Sequence, residues 1–422
     1  MAAAGGGGGA PATATAAPTP TLAAWDTVLP ADLVEVCPSD PALVACGTYL
    51  LESGASEGSS SGASQRKRGA IKLVAITPTA ADGGDGVAIT PLHSVDTAAV
   101  FDAKWLPAHE RQLLVAVTSD GAGVQALELV GRWHADGGAP PELRLLHHTQ
   151  LAPDVLDTSA LSVALLPPLD AACVDPVVAP LAVSRSDGRI TVTSYSTAAG
   201  FGAEYGSEAG LPPPRTWLAH TYDGATPAEV WTVAAVTPPM GGGGAGWLLW
   251  SGADDGLLKA WDARASSRAP AWTNRAHGAG VCAIEQHPAH AHLVATGSYD
   301  EVLRVWDQRN MAEPVAAVET GGGVWRIRWH PHAPDTAVAA CMYAGAAVIN
   351  LSPLPLESGA GAPWLPSTAS VSFMQRSHTS IVYGAAWLPH LADGASATTG
   401  GPIATCSFYD HALHVWRPTA LS

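Results

Sequence analysis

Two pentapeptides of this chain, at residues 54–58 and 58–62, match the G-x-S-x-G pattern in which a sharp strand-to-helix turn presents a nucleophilic serine. Both lie inside ESGASEGSSSGASQRKR, a run so rich in Ser and Gly that composition alone produces the pattern, and no strand-turn-helix signal surrounds them. Histidine is the next residue type able to do chemistry. HPAHAH holds His287, His290 and His292, and WHPH holds His330 and His332. Such spacings suit a metal, but both groups fall in the turn between a first and a second strand, so solvated loops and no metal are expected. The Gly run at 241–244 lacks the Lys and Ser/Thr of a phosphate-cradling loop, and neither H-E-x-x-H nor paired C-x-x-C occurs. No cofactor is expected. Contiguous motifs reveal no enzyme, so any chemistry must come from side chains that the fold gathers.

The elements that would gather them repeat. SGADDGLLKAW, TGSYDEVLRVW and TCSFYDHALHVW end at Trp261, Trp306 and Trp416, and each carries an Asp six residues before that Trp: Asp255, Asp300 and Asp410. A hairpin explains the pattern: small residues in one strand, Asp in a tight turn, then apolar and polar residues alternating up to a Trp that packs between sheets. Weaker copies around Asp120, Asp187 and Ala344 keep the turn and the alternation without the Trp. Ahead of the hairpins, KWLP, EQHP, RWHP and AWLP each end a strand on Pro, which cannot donate to a ladder. The step from Trp261 to Trp306 matches the period of a propeller blade, about 40 to 45 residues.

Units starting near Asp32, Ala99, Ser159, Glu229, Gly280, Gly323 and Ile381 number seven. The expected fold is all-β, a seven-bladed WD-repeat β-propeller over residues 22–418. A disordered Ala/Gly/Pro tail at 1–21 precedes it, and Gly/Ser-rich loop insertions are expected near 52–68, 239–246 and 391–402. TLAAWDTV around Trp25 is expected to supply the last strand of the final blade, since a closed ring leaves few free edges. A two-sheet sandwich would also suit short strands with turn signals, but it does not account for the period.

Composition narrows the partners. Against 21 Lys plus Arg stand 37 Asp plus Glu, a net charge of -16, the reverse of what a phosphate backbone attracts, so no direct nucleic-acid partner is expected. An acidic surface favours encounter with a basic protein face. Six cysteines without a C-x-x-C pair argue for reduced thiols. No stretch reaches the roughly 18 consecutive apolar residues of a membrane span. No Lys or Arg precedes Arg66, so the N-terminal segment lacks the basic character of a signal or transit peptide. A cytoplasmic protein is the expectation.

The running text of the C-terminal half resembles a specific family, the WD-repeat diphthine methylesterases of diphthamide biosynthesis. WSGADDGLLKAWDAR, HGAGVCAIEQHPAHAHLVATGSYDEVLRVWDQRNM, GGGVWRIRWHPH with AACMYAG, IVYGAAW and ATCSFYDHALHVW carry the resemblance over roughly residues 217–416. The N-terminal half is similar only in VEVCPSDPALVACGTYLL and KWLP. The resemblance implies hydrolysis of the methyl ester of diphthine, the modified histidine of elongation factor 2, releasing methanol and a carboxylate. The partner implied is elongation factor 2 bearing methylated diphthine.

No nucleophile is carried over from that family, so the site is argued physically. The residues before the turn aspartates, Asp254, Tyr299 and Tyr409, should face the narrow end of the ring, and the strand entries add Trp231, Trp325 and Tyr383. Diphthine carries a quaternary trimethylammonium, which aromatic faces and a carboxylate attract. Ester hydrolysis also needs a base, and His is the natural one near neutral pH. His411, beside Asp410 and Tyr409, is a candidate, as are His277 and His378, although the last two also align with the structural His of WD blades.

A competing class starts from WDAR at 261–264 and WDQR at 306–309. Paired W-D-x-R boxes resemble those of non-catalytic substrate receptors of cullin-based ubiquitin ligases. In that reading Arg264 and Arg309 dock an adaptor propeller and no chemistry occurs.

Overall fold

A computed structural model of the chain describes residues 21–52, 66–79, 86–107, 111–134, 137–155, 157–167, 178–197, 200–201, 214–237, 248–262, 269–353, 366–391 and 401–418. The expected tail and most of the three insertions lie outside these residues. The described strands form seven antiparallel sheets, six of four strands and one of five. In the five-stranded sheet the outer position is shared: Gly200–Phe201 and Arg215–Leu218 both pair with Arg189–Ser196. Among the described residues no helix is long and apolar enough to cross a membrane.

Each sheet is a blade whose first strand lies innermost. These strands are Ala31–Val36, Val100–Trp105, Ala160–Leu165, Thr232–Val236, Val281–Gln286, Arg326–Trp329 and Val382–Trp387, for blades one to seven. Every innermost strand packs against the next, and Ala31–Val36 packs against Val382–Trp387, which closes the ring. The expected closure is present as well: Thr21–Asp26 pairs with Ala412–Trp416 as the outer strand of blade seven. Chain ends far apart in sequence are thus zipped within one sheet, so the ring has no free edge at its seam.

Small residues in the second strands let blades approach. A Cβ built on Gly297 would lie 2.4 Å from a Val324 methyl and 2.8 Å from its carbonyl oxygen, so the glycine of TGS is the space into which blade six fits. At the other end of the innermost strands the aromatic of the x-x-Pro motif ties neighbours together. Trp105 Nε1 donates to the Glu35 carbonyl, Trp329 Nε1 to that of Glu285 and Trp387 Nε1 to that of Arg328, at 3.0–3.3 Å. The histidines of HPAHAH and WHPH pack there too: His287 lies 4.5 Å from the Trp329 ring and His330 4.5 Å from that of Trp387. His287 and His330 are buried loop-formers rather than the solvated residues expected. Each accepts backbone N–H groups of its own turn through Nδ1.

Candidate functional site

Three blades carry the same buried tetrad. In blade four, Trp261 Nε1 donates to Ser251 Oγ at 2.8 Å, Ser251 meets His220 Nε2 at 2.7 Å, and His220 Nδ1 meets Asp255 at 2.9 Å. In blade five, Trp306 Nε1 donates to Thr296 Oγ1, which meets His277 Nε2, both at 2.8 Å, and His277 Nδ1 lies 3.3 Å from Asp300. In blade seven, Trp416 and His378 Nε2 share Thr405, and His378 Nδ1 reaches Asp410 through Ser407. Burial opposes the charge of Asp300, yet hydrogen bonds from His277 and the Gly278 N–H hold its carboxyl below the usual carboxylate range. Burial pushes His277 and His220 the other way, toward neutral imidazole.

Two of the expected candidate bases, His277 and His378, therefore have both ring nitrogens engaged inside blades. His220, which the sequence reading did not single out, does the same work. The third candidate, His411, sits at the hairpin turn of blade seven with φ at 52°, and its carbonyl accepts hydrogen bonds from Thr27 N and Oγ1 at 2.7 and 2.9 Å. Its backbone helps clamp the N-terminal strand to the last blade.

The aromatic residues do come together. The ends where innermost strands begin and second strands finish converge around the axis at one face of the ring. There Trp231, Trp325 and Tyr383 form a chain with ring centroids 5.5 and 4.9 Å apart. Tyr299 stands 6.4 Å from Trp231 and 6.0 Å from Trp325. Phe408 extends the chain from Tyr383 to Tyr409 and Tyr49, and Phe101 lies 5.0 Å from Tyr49. This is an aromatic collar around the mouth of the axial channel. Asp254 joins it by accepting from Trp231 Nε1 at 3.3 Å and from the exposed Tyr222 hydroxyl at 2.6 Å. Tyr409 and Tyr299 are also exposed, so the collar meets solvent.

Register explains the collar. In blades one, two, three, five and seven the innermost strand carries a bulge near its start, which frees one residue from pairing: Asp32, Phe101, Leu161, Cys282 and Tyr383. Trp231 and Trp325 stand at the same point, immediately ahead of the paired residues of their strands. A bulge re-aims the chain locally and occurs beside functional sites. Six of the seven positions hold an aromatic, a leucine or a cysteine, and one holds a carboxylate.

Deeper in the channel lies a cavity of about 140 Å³, lined among others by Phe101, Trp231, Trp325, Asp102, Cys282 and Arg326. Its charges are paired. Arg326 Nη1 donates to Asp102 at 2.9 Å, Lys104 to Glu35 at 2.6 Å, and Arg328 bridges Glu35 and Glu285. Asp102 also accepts from Ser162 Oγ and the Val163 N–H. Burial opposes its ionisation, but Lys104, Arg326 and Arg328 outweigh it and hold Asp102 well below the usual range. Among the described residues no three His, Cys, Asp or Glu side chains cluster in a way that could hold a metal ion.

On the outer side of blade five, Arg309 folds back on Asp307, with Nε donating at 2.8 Å, and Arg264 lies outside the described residues.

Closed ring, blade hairpins and Trp–Ser/Thr–His–Asp tetrads define a seven-bladed propeller of the WD-repeat class. No family model matches the chain. It is similar over most of its length to two mammalian proteins named diphthine methyltransferase. The human protein is 29% identical over 93% of this chain and 97% of its own, and the mouse protein 27% identical over 94% and 93%. The resemblance read from the running text therefore holds: along most of its length the chain is similar to proteins named diphthine methyltransferase, a name that denotes an enzyme. Among solved structures, a chain of a mitotic checkpoint complex matches with a TM-score of 0.56, 16% identity and coverage of 97% of this chain and 99% of that one, a likeness of fold alone.

Proposed function

We propose that this chain hydrolyses the methyl ester of diphthine on elongation factor 2, releasing methanol and leaving a free carboxylate. The observation that carries the reading is the collar of Trp231, Tyr299, Trp325, Tyr383 and Tyr409 with Asp254 at the channel mouth, in a chain similar to proteins whose name specifies diphthine. A quaternary trimethylammonium cannot donate a hydrogen bond, so aromatic faces and a nearby carboxylate are the groups that select it. Held there, the cation sets its ester beside the mouth of the channel, where water and polar side chains meet. The exposed tyrosines around the rim supply contact for the protein that carries the modified histidine, since such amphipathic rings dominate recognition surfaces.

The relatives' name speaks of methyl transfer, and hydrolysis makes water the partner of the reaction. The purified chain incubated with methylated elongation factor 2 in ¹⁸O water distinguishes the outcomes. Acyl attack by water puts the label in the new carboxylate and releases unlabelled methanol. Labelled methanol, or loss of the methyl group without methanol, would overturn hydrolysis at the acyl carbon.

A further inference from the structure

Around the collar, equivalent positions hold Asp32, Phe101, Leu161, Trp231, Cys282, Trp325 and Tyr383, one from each blade. Asp32 is the carboxylate among them, and it is 1% exposed. Among the described residues its Oδ2, which is buried, has no hydrogen-bond partner. A buried polar atom left unpaired is costly, so a fold that keeps one has a use for it or a guest that satisfies it. The charged and titratable groups whose fields reach Asp32 are Arg326 and Asp102, from the innermost strands of blades six and two. Tyr49, Tyr383 and Cys406, from blades one and seven, feel its charge in turn. Arg326 shows the complementary feature. Asp102 and the Phe101 carbonyl hold its two terminal nitrogens, while its buried Nε–H has no partner among the described residues. An unsatisfied acceptor and an unsatisfied donor thus belong to two residues that feel each other's charge at the aromatic collar.

We infer that Asp32 is the general base of the ester hydrolysis and that the Nε–H of Arg326 meets the oxyanion it generates. This rests on the hydrolytic reading proposed above. Asp32 takes a proton from water as the water oxygen bonds to the ester carbonyl carbon, and the carbonyl electrons move onto oxygen, opposite Arg326. On collapse the bond from carbon to methoxy oxygen breaks, and the protonated Asp32 returns its proton to the departing oxygen to give methanol. The carboxylic acid formed loses its own proton to solvent, so the balance is ester plus water to carboxylate, proton and methanol. Asp102 is a positioning residue, since its ion pair aims the guanidinium. Burial, against the attraction of Arg326, raises the Asp32 carboxyl to about 7, where a base gives the best compromise between being ionised and accepting a proton.

The test compares wild type with Asp32→Asn and Asp32→Ala, assaying methanol release from methylated elongation factor 2 between pH 5 and 9. Asparagine keeps the shape and removes the charge, so the expected result is a kcat lower by about 100-fold or more with KM within about threefold. In the wild type the rate should rise with pH through about 7, and the residual rate of Asp32→Asn should lack that rise. Added formate should restore part of the activity of Asp32→Ala, which a structural role would not allow. If the wild type releases methanol while Asp32→Asn keeps kcat within threefold, or if formate restores nothing to Asp32→Ala, the assignment of Asp32 is overturned and the hydrolytic reading stands. No methanol from the wild type overturns both.

Discussion

The indole of Trp325 and the phenol ring of Tyr383 lie 4.9 Å apart, centroid to centroid, and come from equivalent points of adjacent blades. Trp325 is also within 5.5 Å of Trp231 and 6.0 Å of Tyr299, which makes it the hub of the collar. A cation over such a face gains about 1–2 kcal/mol when partly desolvated. Trp325→Ala should therefore weaken binding of methylated diphthine by roughly 5- to 30-fold, read as a rise in KM, with melting lowered less than by a substitution inside a blade. Binding of tetramethylammonium, followed by tryptophan fluorescence or calorimetry, gives a second readout. Unchanged KM and unchanged cation binding would remove Trp325 from the site.

The tetrads predict a different behaviour. His277 joins Thr296, Asp300 and, through Thr296, Trp306, all inside blade five. Removing the imidazole leaves a buried hydroxyl and a carboxylate short of partners, at a cost of about 2–3 kcal/mol. His277→Ala should lower the midpoint of denaturant unfolding accordingly, while protein that remains folded keeps its KM. A large loss of kcat in fully folded His277→Ala would instead give this residue the chemical role considered from the sequence.

The propeller was legible because its signal is local and repeated: turn aspartates six residues before a Trp, strands ending on Pro, seven units. The collar was legible in part. Trp325, Tyr383 and Tyr299 stand out by residue type, yet Asp32 and Phe101 belong to the same ring and escaped notice. A positional signal was present, since Asp32 lies six residues before Pro38 and Phe101 six before Pro107, as Trp325 does before Pro331 and Tyr383 before Pro389. Tyr49 and Phe408 leave no comparable trace, because each enters the collar from the end of a second strand. The Arg326–Asp102 pair joins positions 224 residues apart in blades six and two, so only closure of the ring reveals it. His277 and His378 illustrate the opposite difficulty, in which one residue type serves both as a natural base and as a blade tie.

His411 offers a test of backbone strain. Its φ of 52° lies in the left-handed region, which glycine adopts freely and a β-branched residue strongly resists. Its carbonyl still has to face Thr27 to hold the N-terminal strand. His411→Gly should match or exceed wild-type stability, by up to about 1 kcal/mol, whereas His411→Val should fall below it. Thermal melts of the two variants settle the order, and equal melting would show that the turn relaxes elsewhere.

The burial of Asp32 fixes the sign of a pH effect on folding. In the folded ring the carboxyl is raised from its ordinary 3.8 to about 7, chiefly because burial penalises the charged form. Its contribution to stability is then complete below pH 3.8 and is lost as the pH climbs through about 7, since folding must hold an ion that the unfolded chain leaves in water. Asparagine resembles the protonated form at every pH. Asp32→Asn should therefore unfold with nearly wild-type stability at pH 4 and be the more stable protein above pH 7. The gain is at most roughly 4 kcal/mol from the size of the shift. Urea unfolding at a series of pH values measures that difference directly. A variant less stable than wild type at pH 8 would mean that the ionised carboxylate is held by partners in the collar, and that Arg326 satisfies it before any substrate arrives.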